Sequence, residues 1–239
     1  MYFTYFPKSL YDFAGGTALT RDLTQYVEVI DKVRKNAAFY QDYIIQHGER
    51  PDHVAYQLYN NPQLHWTLYL LNPQIRESGW PLTDLEVLSK VKKDYPHTVL
   101  NTTSDITDKF KVGQIVTGQR SGAGGVVVDK NVDLGQLVIE TSDTFKNDGA
   151  PESITSVVGE QIETIEAQSA VPQYLSTRHY LQDGEVITSW VDLQPTPSET
   201  IVTHYDFYVK SNNQLKQISV IRPENIEQVV QAVVDALRS

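Results

Sequence analysis

Residues 43–81 read YIIQHGERPDHVAYQLYNNPQLHWTLYLLNPQIRESGWP, and the rest of the chain is organised around them. Tyr43-Ile44-Ile45 is a short apolar run of strand type, broken by His47-Gly48. Pro51 stands where a first helical residue would, with φ already set and no amide to leave unpaired. Val54, Ala55, Leu58 and Tyr59 follow at helical spacing and give that helix one apolar face. Asn60-Asn61 stops it, and Asn61 is placed to cap a second helix starting at Pro62. Leu64, Leu68 and Leu71 line the inner face of the second helix, with Trp66, Tyr69 and Leu70 widening the stripe. Asn72-Pro73 ends it, because the residue before a proline avoids the helical region. Ile75 is read as the start of a return strand, and Gly79-Trp80-Pro81 closes the unit. So small a unit buries too little surface to be very stable alone and has to lean on other parts of the chain.

The order strand, helix, tight turn, helix, strand resembles a LysM module. The wording is more specific. GERP, VAYQLYNNPQLHW, LLN and GWP resemble the baseplate wedge proteins of T-even-type phages, the gene product fifty-three family. That family begins with a Phe-Thr-aromatic-Phe start similar to MYFTYF here. It closes on an Asn-x-x-x-Arg-x-Ile-x-Ile run similar to Asn213 to Ile221. The likeness covers roughly residues 1–95 and 200–239. It implies a component of a contractile-tailed phage baseplate, present in several copies around the ring, six or a multiple. It would link neighbouring wedges to one another and to hub-proximal and sheath-initiating proteins. The implied location is the virion tail, with assembly in the host cytoplasm.

The chain has 239 residues, with 20 basic and 30 acidic side chains, a formal net charge of −10 and no cysteine. Room exists for one large or two small domains. The acidic balance argues against a nucleic-acid backbone or an anionic membrane as the main partner. Without cysteine, disulfides and thiolate metal sites are excluded, so packing alone holds the fold. The first residues carry no basic leader before an apolar core, so no signal peptide is expected. No apolar run approaches membrane-spanning length.

The N-terminal stretch is dense in aromatics: Tyr2, Phe3, Tyr5, Phe6, Tyr11 and Phe13, ended by Gly15-Gly16. Such a terminus is packed on its own domain or inserted into a neighbour, since an exposed aromatic patch is unusual in a soluble monomer. Residues 20–42 fit a helix through Tyr26, Val29, Ile30 and Val33, and fit an alternating strand equally well. Thr83-Asp84-Leu85-Glu86 is a capping-box pattern and predicts a helix to about Asp94, stopped by Tyr95-Pro96.

From Thr98 to about Gln168 glycine and β-branched residues rise and helical spacing disappears. FKVGQIVTG, GGVVVDKN, GQLVIETS and SITSVV read as short strands between Gly, Asn and Asp turns, as in a small antiparallel barrel or sandwich. Family members do not all carry this segment, so it is read as an insertion. Residues 169–221 are read as strand-like runs (YLSTRHYL, EVITSWVDL, TIVTHYDFYV, QLKQISVI) separated by Gly184 and Pro195-Thr196-Pro197. After Arg222-Pro223-Glu224, the residues Ile226, Val229, Val230, Val233 and Leu237 predict an amphipathic last helix. The fold class is therefore α+β, in three parts. Residues 1–97 form a LysM-like domain, 98–168 an inserted small β domain, and 169–239 a C-terminal strand-plus-helix part.

There is no Gly-x-Ser-x-Gly elbow. Arg120 to Gly125 is the one Gly-rich loop; it lacks a following Lys-Ser/Thr and sits between strands, so a hairpin turn is expected there, not a phosphate cradle. The six histidines show no His-x-x-x-His spacing and no zincin-type carboxylate partner. Asp129 to Asp133 lacks the glycine and closing glutamate of a calcium loop. No paired carboxylates at glycosidase placement can be named. The chain is thus expected to bind, not catalyse, and to need no cofactor or metal. Tyr2, Phe3, Tyr5, Phe6, Tyr11, Phe13, Trp66 and Trp80 are the candidate partner contacts. The alternative function is peptidoglycan binding, with Trp66 and Trp80 as an N-acetylglucosamine platform; against it stands the core role of both rings.

Overall fold

The computed structural model describes residues 6–13, 15–22, 39–189 and 199–238. Tyr2, Phe3 and Tyr5 lie outside them, as does most of the stretch that fits helix and strand equally, residues 23–38. The chain divides into two compact units: residues 1–83 with 211–239, and residues 84–210.

In the first unit, β1 (Lys8–Phe13) and β2 (Gly16–Arg21) form an antiparallel hairpin, with Leu10 opposite Leu19. β3 (Tyr40–Ile44) leads into α1 (Pro51–Tyr59), which starts on Pro51 as the sequence predicts. Asn60 stops α1 in the left-handed region (φ 53°), its N–H donating to the Tyr56 carbonyl. Asparagine tolerates that conformation better than most side chains. Asn61 Oδ1 then accepts the Gln63 N–H at 3.0 Å and caps a 3₁₀ turn, Pro62–His65, that runs into α2 (Trp66–Leu71).

Beyond Asn72 the structure departs from the expected return strand. Residues Pro73–Ser78 form a short helix, α3, and Ile75 is fully buried on it. Pro73 is the reason: before it Asn72 is forced out of the helix, and at it a new helix has its φ ready. The strand that pairs with β3 comes instead from far along the chain. β13 (Gln217–Ile221) runs antiparallel to β3, with Ser219 opposite Asp42. Ile45, Val54, Leu68 and Ile75 pack with Ile218 and Val220. On the other side Phe6, Trp66, Leu70 and Ile221 pack with α6 (Ile226–Arg238) through Ile226, Val229, Val233 and Leu237. The last helix buries the apolar face its spacing predicts.

In the second unit, α4 (Asp84–Asp94) is followed by six antiparallel strands. They are β4 (Thr98–Thr102), β5 (Ile115–Gly118), β6 (Gly124–Asn131), β7 (Gln136–Glu140), β8 (Glu152–Val158) and β9 (Gln161–Pro172). They close as a barrel in the order β4-β7-β6-β5-β8-β9, because β4 pairs with both β7 and β9. Closure leaves no strand edge unpaired. Its interior holds Leu100, Val116, Val127, Leu137, Ile139, Ile154 and Ile165 from the strands. Phe110 and Phe145 enter from loops; Phe110 adopts φ 54° and its N–H donates to the Glu163 carboxylate at 2.8 Å. A three-stranded sheet follows, β11 (Glu185–Ile187), β10 (Thr177–Gln182) and β12 (Thr200–Thr203), in the order β11-β10-β12.

The strand-like expectation fails after Thr203. Residues His204–Leu215 are a helix, α5. Thr203 and Asp206 cap it reciprocally: the Asp206 N–H donates to Thr203 Oγ1 (3.1 Å), and the Thr203 N–H donates to the Asp206 carboxylate (3.1 Å). This is a capping box with aspartate in place of glutamate.

Candidate docking site

Pro51, Gly48 and Trp80 shape the loop between β3 and α1. Glu49 sits at its centre. Its carboxylate accepts the Gln46 N–H at 2.8 Å and the Tyr43 hydroxyl at 3.1 and 3.3 Å. The Glu49 carbonyl accepts the Trp80 indole N–H at 2.6 Å. Tyr69 tilts against Trp80 with ring centroids 6.0 Å apart. Burial, helped by the Glu49 carboxylate, pushes the Tyr43 phenol up to about 12. The loop is therefore clamped from below by Trp80 and from within by Glu49.

A second set of polar side chains ties the two sequence halves of this unit together. Asn72 Nδ2 donates to the carbonyls of Leu68 and Ser219, both at 2.7 Å, and its Oδ1 accepts the Ser219 N–H at 2.8 Å. Tyr59 donates its hydroxyl to the Ile221 carbonyl at 3.0 Å, and burial pushes that phenol up to about 12. Asn212 exchanges two hydrogen bonds with the backbone of Leu82, at 2.7 and 2.9 Å. None of the three pairings is legible in the local sequence. Asn72 was legible only as the residue before a proline, and nothing local marks the partners of Tyr59 or Asn212.

The candidate contact residues fall in different places. Phe6 and Trp66 come together in one buried cluster, Trp66 with 7% of its surface exposed. A ring so covered offers no face for a sugar to stack on. Trp80 is half-buried beneath the Glu49 loop. Phe13 lies in β1 opposite Gly16. Tyr11 is exposed on the hairpin, its hydroxyl donating to the Asp22 carboxylate at 3.2 Å. The facing pair Leu10 and Leu19 is 71% and 58% exposed, and Ile44 and Tyr56 are exposed as well. A two-stranded hairpin with so little packing is marginal in water, so a covering surface would stabilise it.

Residues 1–89 match the family described as Base plate wedge protein 53. Over that stretch the chain is similar to this baseplate wedge family. The resemblance read from GERP, VAYQLYNNPQLHW and GWP is borne out over that stretch. The matched stretch contains the hairpin, the Glu49 loop, α1 to α3 and Trp80. The family supports a structural role in a phage tail baseplate and a place among other baseplate proteins. No curated protein matches the chain.

The acidic Asp129 to Asp133 stretch and the glycine-rich Arg120 to Gly125 loop are turn-forming. Asp129 Oδ1 accepts the Lys130 N–H and Asn131 Oδ1 accepts the Leu134 N–H. In the glycine-rich turn, Glu152 occupies the place an anion would take: its carboxylate accepts the N–H groups of Arg120 and Ser121. Among the described residues no group of three or more His, Cys, Asp or Glu could hold a metal ion. No described helix is long and apolar enough to cross a membrane.

Proposed function

We propose that the chain is a structural link of a contractile-tail baseplate wedge, joining neighbouring wedges and the inner baseplate through protein–protein contacts without catalysis. The family match over residues 1–89 carries this reading. The partners are other wedge, hub-proximal and sheath-initiator proteins, with several copies per ring, six or a multiple, assembled in the host cytoplasm. Each contact can be weak, because a ring multiplies it. Tyr2, Phe3, Tyr5, Tyr11 and Phe13 of the aromatic N-terminus and the exposed hairpin pair Leu10 and Leu19 are the first contacts, and the exposed Ile44 and Tyr56 add to them. Insertion of such apolar anchors into a partner is the usual source of interface energy.

The paired strands β3 and β13 with α1 and α2 between them in sequence support a LysM-like unit, used here for docking. Its second strand then follows a long insertion, residues 98–168 in the three-part reading. Burial of Trp66 disfavours the peptidoglycan alternative.

The test is to mix the purified chain with candidate wedge proteins and follow sedimentation. A faster-moving complex is expected, lost on L10D/L19D. Binding to purified cell wall without any co-sedimenting wedge protein would overturn the proposal.

A further inference from the structure

The barrel carries an outward apolar surface that stays exposed among the described residues. Register places four β-branched residues side by side across adjacent strands. Val126 of β6 faces Ile115 of β5, and Val157 of β8 faces Ile162 of β9. The β5–β8 pairing, Val116 with Ser156, brings Ile115 beside Val157. The adjacent Val127, Val116 and Ser156 are buried, and on β9 the alternation that buries Ile165 and Ala167 puts Ile162 on the opposite face, so this row turns outward. Ile115, Val157 and Ile162 are 69%, 70% and 69% exposed. Strands about 4.8 Å apart make the row about 14 Å wide.

The next outward row is also uncharged: Thr117 faces Thr155, and Thr155 faces Thr164. Surfaces of this kind on soluble proteins mark interaction sites. Because the barrel is closed, a partner cannot add a strand to it and has to lie on these side chains.

The rim says what sort of partner. Glu140 lies opposite Val126, and Glu166 lies on the outward face of β9 beyond Thr164. Lys130, the one base on these four strands, points its ammonium at the carbonyls of Ile106, Thr107 and Lys109 at 2.9, 2.7 and 3.2 Å. Arg120, in the turn after β5, is paired with Asp148 at 2.7 Å. Residues 98–172 hold eleven acids against five bases. An apolar strip with an acidic border repels a second copy of itself and complements a basic one.

We propose that the outer wall of β6, β5, β8 and β9 docks a protein surface made of an apolar strip bordered by lysine or arginine. The inference rests on the baseplate reading, which places that partner among the wedge proteins. It concerns a region outside residues 1–89.

Because the chain has no cysteine, single-cysteine variants report the surface cleanly. I162C and T155C are made in the full chain, with D133C in the β6–β7 turn reporting reagent access. Each is labelled with a maleimide in the free chain and in baseplates assembled from the wedge proteins. Labelling of I162C and T155C is expected to slow by about tenfold or more on assembly, since an interface core excludes water, while D133C stays reactive. E140K/E166K, its fold checked by circular dichroism, is expected to incorporate less.

Incorporation with undiminished labelling of I162C and T155C overturns this inference and leaves the baseplate reading standing. Failure of the wild-type chain to incorporate overturns both. Protection in the purified chain, accompanied by a dimer mass, overturns the basic partner in favour of a second copy.

Discussion

Asn72 and Ser219, 147 residues apart in sequence, exchange two hydrogen bonds: Nδ2 to the Ser219 carbonyl at 2.7 Å and the Ser219 N–H to Oδ1 at 2.8 Å. One amide thereby reads both backbone groups of a strand residue, and it does so from the joint between α2 and α3. Asn72 is itself buried. Replacing it with alanine leaves buried polar groups unpaired, each worth about 1–3 kcal/mol. N72A is expected to lose about 3 kcal/mol, seen as a lower urea midpoint with an unchanged slope. The exposed neighbour variant Q74A is expected to stay within about 0.5 kcal/mol of wild type.

Burial raises the phenols of Tyr43 and Tyr59 to about 12. An unfolded tyrosine ionises near 10. Since the folded value is the higher one, the stabilisation is complete below pH 10 and disappears as pH rises toward 12. Alkaline titration followed by phenolate absorbance should therefore show a late-ionising fraction that Y59F removes in part. Y59F should also show a shallower loss of stability between pH 10 and 12.

The imidazole of His204 stacks on Tyr95 with centroids 4.0 Å apart, and its Nδ1 is buried without a hydrogen-bond partner among the described residues. Burial, followed by the nearby Arg178 and His179 charges, lowers its pKa to about 4. The unfolded chain takes up this proton near pH 6.5, before the folded chain does. Stability from His204 is therefore full above pH 6.5 and declines as pH falls toward 4. H204F keeps a ring on Tyr95 but cannot titrate. Its melting temperature is expected to depend less on pH across that window than that of the wild type.

Glu152 is almost completely buried, and its carboxylate accepts N–H groups of Arg120 (3.1 Å), Ser121 (2.6 Å) and Lys146 (2.8 Å). Burial alone would raise its pKa, but hydrogen bonds from Ser121, Lys146 and Arg120 together hold it below the usual value. In E152Q an amide NH₂ meets N–H donors. A loss of about 2–3 kcal/mol is expected, as charge-assisted bonds exceed neutral ones. Wild-type barrel stability should fall as pH drops through the carboxylate range, and E152Q should lack that part of the dependence. Thermal melts at pH 7 and 3.5, at about these two values, compare them.

Local signals carried far in this chain. Pro51, Asn60 and Asn61 announce a helix, its stop and the next cap, and the structure places them so. Thr83 to Tyr95 behaves likewise, with a helix over Asp84–Asp94. Failures arose where a distant partner decides. Ile75 has the β-branched look of a strand residue, yet the place beside β3 belongs to β13, whose sequence lies far downstream. In TIVTHYDFYV the alternation of Ile201, Thr203 and Tyr205 masks a Thr-x-x-Asp cap, and the cap prevails. Among the candidate contacts, aromatic density singles out Phe6 and Trp66 without telling an inner ring from an outer one. Composition shows that a strand row is β-branched; only register shows that Val126, Ile115, Val157 and Ile162 share a face.

The antiparallel pairing of β3 with β13 also imposes an order on biosynthesis. A nascent chain leaving the ribosome presents α1, α2 and the whole barrel before residues 217–221 exist. The barrel has all its strands by Pro172 and can close while translation continues. The first unit must wait with Ile45, Val54 and Leu68 uncovered until Ile218 and Val220 emerge. Premature termination anywhere ahead of β13 thus releases a polypeptide with a finished barrel attached to a sticky, half-built head.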